Sequence, residues 1–427
     1  MWKILTRKLK ETNIDWIGEV PKNWKISTIG SHYTERTDKV SDLDYIPLSV
    51  TKSGIVPQLE IAAKSSNHDN RKLVLKDDFV INSRSDRKMS AGISSINGSV
   101  SVINTVLYSN TIDRNYTKYL LKNYAFAEEF YKWGTGIVDD LWSTKWLKMK
   151  NIPIPVPPRE KQKQIGAVID SMVQNTNNII DGTKESISEL KKYRQSMITE
   201  VVTKGLNPNV KMKESGIDWI GQVPEHWVVT RPNRVTTITR GNSEFQKIDM
   251  KNTGDYIAVQ YGQVYKLNVL DEKYQLYVDE KFYKEEQIVQ KGDTILVSTS
   301  ETIEDLGHSC FYNRKDLGLL GGEQLCLKPN NQVLFDKFLY YATTYFNLEL
   351  NQYATGLKVY RFKLDDLKKI NMILPPTLGE QKQIVEYLDD KVSTIDKLIK
   401  DKTKVIEELE IYKKSLIYEY VTGKKEV

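Results

Sequence analysis

The chain has 427 residues, a net charge of +6, and 40% hydrophobic and 28% charged residues, the composition of a globular protein with room for two or three cores. No run of eighteen apolar residues occurs, and the basic opening MWKILTRKLKETN lacks a sustained apolar region and a small-residue cleavage site. Neither a membrane span nor a signal peptide is therefore expected, and the expected location is the cytoplasm. Cys310 and Cys326 alone make no disulfide framework, and the modest positive charge permits a polyanionic partner without requiring one.

In chain order, the first signal is IDWIGEVPKNWKI at 14–26, which returns as IDWIGQVPEHWVV at 217–229. An insert follows from about Pro21 to Lys150. Its short β-branched runs at 44–50, 73–82 and 98–107 predict strands, and the aromatic spacing over 116–133 predicts a helix. The run IPIPVPP at 152–158 reads as a stiff connector, because proline neither continues a helix nor sits in a central strand. From PPREKQKQI at 157–165 onward, Ile165, Ile169, Met172, Thr176, Ile179, Thr183, Ile187, Leu190, Tyr193, Met197 and Val201 step by threes and fours. Steps averaging about 3.5 predict a long helix buried along a narrow seam.

The order then repeats. A second insert, about Pro224 to Ile370, predicts strands at 255–260, 293–298 and 324–327 and a helical stretch at 334–353. PPTLGEQKQI at 375–384 opens a second stripe, Ile384, Leu388, Ile395, Leu398, Leu409 and Leu416, broken by Lys391 and Lys402. A shift of 219 residues (Ile165 to Ile384) superposes the two stripes almost position by position. Each helix finds its economical partner in the other copy, since a lone polar helix is marginal in water. Near the end of each insert GTGIVDDLWSTKWLKM (134–149) and ATGLKVYRFKLDDLKKI (354–370) share a plan. The expected fold class is α+β: two globular mixed domains joined by two long antiparallel helices, with a pseudo-two-fold internal repeat.

Signatures of catalysis do not accumulate. There is no GxxxxGK[ST] and no NPPY- or DPPY-type motif. Gly134-Thr135-Gly136 is followed by Asp139 at the sixth position and reads as a turn. His32, His68, His226 and His308 are scattered, and His308 near Cys310 is a lone pair, so no metal is expected. Groups suited to base edges do occur after strands: Asn82, Arg84, Ser85, Arg87 and Lys88 in the first insert, and Ser298, Thr299 and Ser300 in the second. The recurring motifs add Lys145 to the first set and Lys358, Tyr360 and Arg361 to the second. The loop after the second insert's strand, STSETIEDLGHS at 298–309, is acidic and poor in arginine, which predicts hydroxyl or carboxylate contacts to cytosine edges. Trp16, Trp24, Trp219 and Trp227 belong to the repeated frame and are expected to pack each domain onto a helix end.

Taken together, DWIGEVPxxW (Asp15–Pro21 with Trp24; Asp218–Pro224 with Trp227), the PPxxEQxxI-like helix openings and the EVVTKG ending at 200–205 resemble the specificity subunit of type I restriction–modification systems over nearly the whole chain. The second helix ends EYVTGK, with Gly and Lys exchanged, and the first opens with EK where the family more often has EQ. The resemblance implies a lead-in (1–20), a target-recognition domain (21–151), a central region with a long helix (152–206), a second lead-in (207–223), a second recognition domain (224–371) and a closing helical region (372–427). It implies a non-catalytic chain without cofactors. Its domains would read the halves of an asymmetric DNA target, and its helices would set the spacer and dock two adenine-N6 methyltransferase subunits. Endonuclease–translocase subunits would join through the complex, and S-adenosylmethionine, ATP and Mg would sit on partner subunits only. On the residues alone two other classes stay open: a self-contained duplicated nuclease and a coiled-coil adaptor for proteins.

Overall fold

The computed structural model describes residues 8–59, 68–136, 142–303 and 305–427. The MWKILTR opening, the middle of the first recurring motif (137–141) and Glu304 lie outside the described residues. The chain forms two compact units, Met1–Glu185 with Lys402–Val427, and Ser186–Asp401. The division falls inside both long helices, Arg159–Lys204 and Leu378–Val421.

Each unit is built on the same stem. In the first, a hairpin (Leu9–Glu11 with Glu19–Pro21) leads into strand Lys25–Thr28, which pairs antiparallel with Pro153–Val156. In the second, Met212–Glu214 with Gln222–Pro224 leads into Val228–Thr230, which pairs with Met372–Leu374. The strand entering each insert thus lies beside the strand leaving it. The expected proline connector is corrected here: Pro153 and Pro155 stand in a strand, tolerated because a two-stranded sheet has open edges where a missing N–H leaves no partner unsatisfied.

Inside the first insert the strands form a sheet of Ala91–Ile93, Phe79–Asn82, Asn104–Tyr108 and Thr34–Glu35, and another of Gly98–Ser101, Arg71–Val74 and Lys39–Val40. Two runs read as single strands are therefore pairs. The first is broken at Asp77, whose φ is +75°, and at Asp78, whose buried carboxylate accepts from Leu75 N (2.8 Å) and pairs with Arg36 (2.7 Å). The second turns at Val102 and Ile103, apolar residues that give no turn signal. The helical stretch is likewise two helices, Arg114–Leu120 capped by Asp113 and Tyr124–Lys132 capped by Asn123. The second insert has a five-stranded sheet centred on Thr294–Val297 and a four-stranded sheet containing Tyr256–Val259 and Gly318–Leu320. Its helical stretch is Asp336–Thr343 followed by Phe346–Leu350.

The long helices run antiparallel in each unit. In the first, Ile169, Met172 and Thr176 face Leu416 and Tyr420, and Lys413 Nζ donates to Asn177 Oδ1 (2.9 Å). In the second, Arg194 pairs with Asp396, and Met197 packs in one core with Ile384, Leu388 and Ile395. Ile165 and Leu416 are buried, while Leu190 and Leu409 are half-buried. The seam differs from the heptad reading at Ile179 (54% exposed) and Leu398 (46% exposed), because Ile180 and Ile399 turn inward instead. A straight helix repeats every 3.6 residues, so a strict 3.5-residue count loses phase where apolar residues stand side by side. Thr176, expected to fix register, bonds back to Met172 O (2.8 Å) within its own helix.

Candidate nucleic-acid interface

Each insert joins the segment after a central strand to the recurring motif near its end. In the first, Arg84 bridges Ser143 antiparallel, Thr144 N donates to Ser83 O (2.9 Å), and Ser85 N donates to Trp142 O (2.9 Å). In the second, strand Thr299–Ser300 pairs with Tyr360–Arg361, and Phe362 N donates to Ser298 O (3.2 Å). The motif's own neck is also shared. Thr135 and Ser143 exchange two backbone hydrogen bonds, and so do Thr355 and Arg361. Two stretches separated by about sixty residues in sequence are thus fixed against each other by backbone, which leaves their outward side chains free to differ.

The outward chemistry does differ. In the first insert Arg84 and Arg87 flank Asp86 at 3.2 and 3.5 Å, and Lys88 pairs with Glu128 at 3.1 Å. Beside them a cleft of about 750 Å³ gathers Lys39, Lys72, Arg84 and Lys145. Lys72 is held by Glu35 Oε1 (2.7 Å) and Asn104 O (3.0 Å). Ser85 is half-buried in a short 3-10 turn. Asn82, expected to face outward, is buried instead, its Oδ1 accepting from Arg84 N (3.1 Å). Tyr131 donates its hydroxyl to Asn82 O (3.1 Å), and burial raises its pKa, so it remains a donor.

In the second insert Ser298, Thr299 and Ser300 are buried, which corrects their expected place on an open loop. Thr299 and Ser300 form a strand whose edge is taken by Tyr360 and Arg361, and the Ser300 hydroxyl accepts from Thr302 N (3.2 Å). Lys358 and Arg361 are exposed, and Tyr360 is half-buried. Arg361 Nε stands 3.8 Å from Glu323, a residue that the sequence reading passed over. Tyr261 lies nearby with its pKa raised by burial and then by the charges of Glu301 and Glu323. Lys39 and Lys72 were missed for a related reason. They sit within strands, whereas contact residues are most readily recognised in loops. Among the described residues no three His, Cys, Asp or Glu side chains come together as metal ligands, and no helix is long and apolar enough to cross a membrane.

Residues 224–408 match the family model described as the type I restriction modification DNA specificity domain. A Methanocaldococcus jannaschii protein named as the MjaX type I restriction enzyme specificity subunit is 26% identical over 325 residues, 74% of this chain and 69% of that one. The MjaVIII specificity subunit of the same organism is 28% identical over 64% of this chain and 62% of its own length. A chain from a solved structure of a type I restriction–modification complex shares the fold, with a TM-score of 0.71, 15% identity and coverage of 95% of this chain and 99% of that one. The second insert and most of the helix after it thus match the type I specificity domain, and over most of its length the chain is similar to type I restriction–modification specificity subunits. The comparisons favour this reading over the duplicated nuclease and the protein adaptor.

In this chain the lead-in tryptophans meet the helix ends, though not uniformly. Trp24 is buried against Gly423, and Lys424 Nζ donates to Ile17 O (2.7 Å). Trp227 is buried against Gly205, and its Nε1 donates to Glu380 Oε1 (2.8 Å). Trp16 is buried edge-on to Phe126 (5.6 Å), its Nε1 donating to Pro153 O (3.1 Å). Trp219 is the exception at 36% exposed, held by Glu349 Oε1 (3.2 Å) beside Tyr345. Its side chain lines a groove with Thr199. The other unit has Tyr418 at the equivalent helix position, reaching Ile17 O (3.3 Å).

Buried glutamines complete the frame. Gln162 accepts from Asp113 N (2.7 Å) and donates to Pro157 O (2.9 Å). Gln381 accepts from Phe335 N (2.7 Å) and donates to Pro375 O (2.9 Å) and Val333 O (3.0 Å). A carboxylate clamp recurs as well: Asp170 takes Lys118 and Tyr119, and Asp389 takes Lys337 and Tyr341.

Proposed function

We propose that this chain gives sequence specificity to a DNA methyltransferase and restriction complex and performs no covalent chemistry itself. Each insert reads one half of a bipartite target. The two long helices fix the unread spacing between the halves and offer docking faces to two adenine-N6 methyltransferase subunits. Endonuclease–translocase subunits join through the complex. S-adenosylmethionine, ATP and Mg are used on those partners.

One observation carries the reading. The same two segments are joined by the same backbone bond in both inserts, Thr144 N to Ser83 O and Phe362 N to Ser298 O, yet one presents Arg84 and Lys145 and the other Arg361 and Glu323. Equivalent mounts with unlike side chains suit an asymmetric target. Holding both readers on one chain makes the second encounter intramolecular, so two weak half-site contacts add to a tight one at a single spacing. The partner subunits then act on adenines drawn out of the duplex.

Co-expression with a type I methyltransferase subunit in cells lacking their own system tests this. Genome-wide mapping is expected to find N6-methyladenine at an asymmetric bipartite motif only when this chain is present. Methylation independent of the chain, or metal-dependent DNA cleavage by the chain alone, contradicts the reading.

A further inference from the structure

Four described residues other than glycine have positive φ: Asn13, Asp77, Met89 and Glu323. Asn and Asp tolerate the left-handed region, whereas a methionine or glutamate there costs energy. Met89 and Glu323 each lie beside the outward surface of one insert. Local strain that the surroundings hold in place is a mark of positions kept for a purpose.

Glu323 (φ +62°) ends the turn between strands Gly318–Leu320 and Gln324–Pro329. The turn is firmly seated. Gly321 N and the buried Gln324 Nε2 both donate to Val259 O (2.8 Å each), and Gly241 N donates to Gln324 O (2.9 Å). A Cβ on Gly241 would stand 1.8 Å from Gly321 O, so the backbones touch. On this base the Glu323 side chain is 46% exposed and the Arg361 side chain 60% exposed. Oε2 of Glu323 accepts from Thr299 Oγ1 (2.5 Å) and stands 3.8 Å from Arg361 Nε. The pair is therefore oriented before any ligand arrives.

A carboxylate on a surface that meets DNA is repelled by phosphates. It is tolerable only where it meets a donor, and in the major groove those donors are the exocyclic amino groups of cytosine and adenine. An arginine beside it prefers the O6 and N7 acceptors of guanine. We propose that Glu323 and Arg361 together read one G·C pair in the half-site of the second insert, Arg361 donating to guanine O6 and N7 and Glu323 accepting from cytosine N4. An A·T pair offers this set no second acceptor for the guanidinium on its purine, and an inverted C·G pair places each charge against its own kind. Glu323 acts chiefly by excluding the wrong pair, a role of discrimination rather than affinity.

The inference rests on the DNA-reading role above, and one experiment separates the two. Methylated motifs are mapped for wild type, Glu323→Gly and Arg361→Ala, each co-expressed with the methyltransferase subunit, alongside thermal melts. Glu323→Gly relieves the strained φ and is expected to melt no lower than wild type. Its first half-site stays unchanged, while one G·C position of the second half-site is relaxed by roughly 5- to 100-fold in discrimination. Arg361→Ala is expected to relax that same position. An unchanged motif in Glu323→Gly, a lowered melting point in that variant, or relaxation of different positions by the two variants overturns the inference. A wild-type complex without any bipartite motif overturns the DNA-reading role itself.

Discussion

Gly423→Ala is expected to destabilise the unit containing the N-terminal lead-in by about 2–4 kcal/mol, most of the margin of a marginal domain. Gly423 has φ of +74°, and a Cβ there would lie 2.5 Å from Pro21 Cδ and 2.8 Å from Trp24 Cη2. Two costs therefore add: the left-handed backbone, at about 1–2 kcal/mol for a residue with a side chain, and overlap with a ring that is itself buried. The other unit supplies graded comparisons. Gly205 has φ of +76° and its Cβ would stand 3.1 Å from Trp227 Cζ2, a tight contact that a small shift relieves. Gly216 has the same φ with nothing within 4 Å. Urea unfolding should rank the losses Gly423→Ala, then Gly205→Ala, then Gly216→Ala. Equal losses at 423 and 216 would show that backbone strain acts alone and that Trp24 does not seat on the helix end.

Gln381→Leu should cost about 3 kcal/mol, measured as a lowered urea midpoint at unchanged slope. Gln381 is fully buried and closes three backbone groups at the start of the second long helix, Phe335 N, Pro375 O and Val333 O. Leucine keeps the volume and orphans all three, each at about 1–3 kcal/mol before relaxation. Gln381→Glu tests the sign of the argument. It still accepts from Phe335 N, but it donates to neither carbonyl and brings a buried charge, so it should be no better than leucine. Gln383, two residues on, is exposed, and Gln383→Leu should fall within about 0.5 kcal/mol of wild type. Gln162→Leu should follow Gln381→Leu with a smaller loss, because Gln162 closes two backbone groups, Asp113 N and Pro157 O, against three for Gln381.

The glutamines also mark where sequence legibility stops. The repeated openings PPREKQKQI and PPTLGEQKQI announce two helix starts, but each holds two glutamines, and only packing decides that Gln162 and Gln381 turn inward. The repeated frame was legible because the same burial problem is solved twice: Trp24 and Trp227 recur, and so do the glycines that end the helices. The helix seam was legible as a stripe and misplaced in phase, since Ile179 and Ile180 are neighbours and only the partner helix chooses between them. The strands were legible in number only where turns use turn residues. Val102 and Ile103 make a turn from strand-forming residues and concealed a hairpin.

The outward surfaces were half legible. Arg87, Lys88, Lys145, Lys358 and Arg361 are exposed as their types suggest, and Arg84 is half-buried. Asn82 and Ser298–Ser300 are buried instead, with the Asn82 and Ser300 side chains accepting from Arg84 N and Thr302 N and the Thr299 hydroxyl donating to Glu323. Glu323 left no trace in the sequence, because its position depends on a turn with φ of +62° held by residues far away, Val259 and Gly241. Positions of that kind emerge from tertiary structure alone.

Exchange of residues 21–150 for the matching domain of another such protein, followed by methylation mapping of the assembled complex, tests the central claim most directly. One half of the methylated motif should take the donor's sequence, with the other half and the spacing between them unchanged base for base. A change in both halves, or in neither, would contradict two independent readers mounted on one frame.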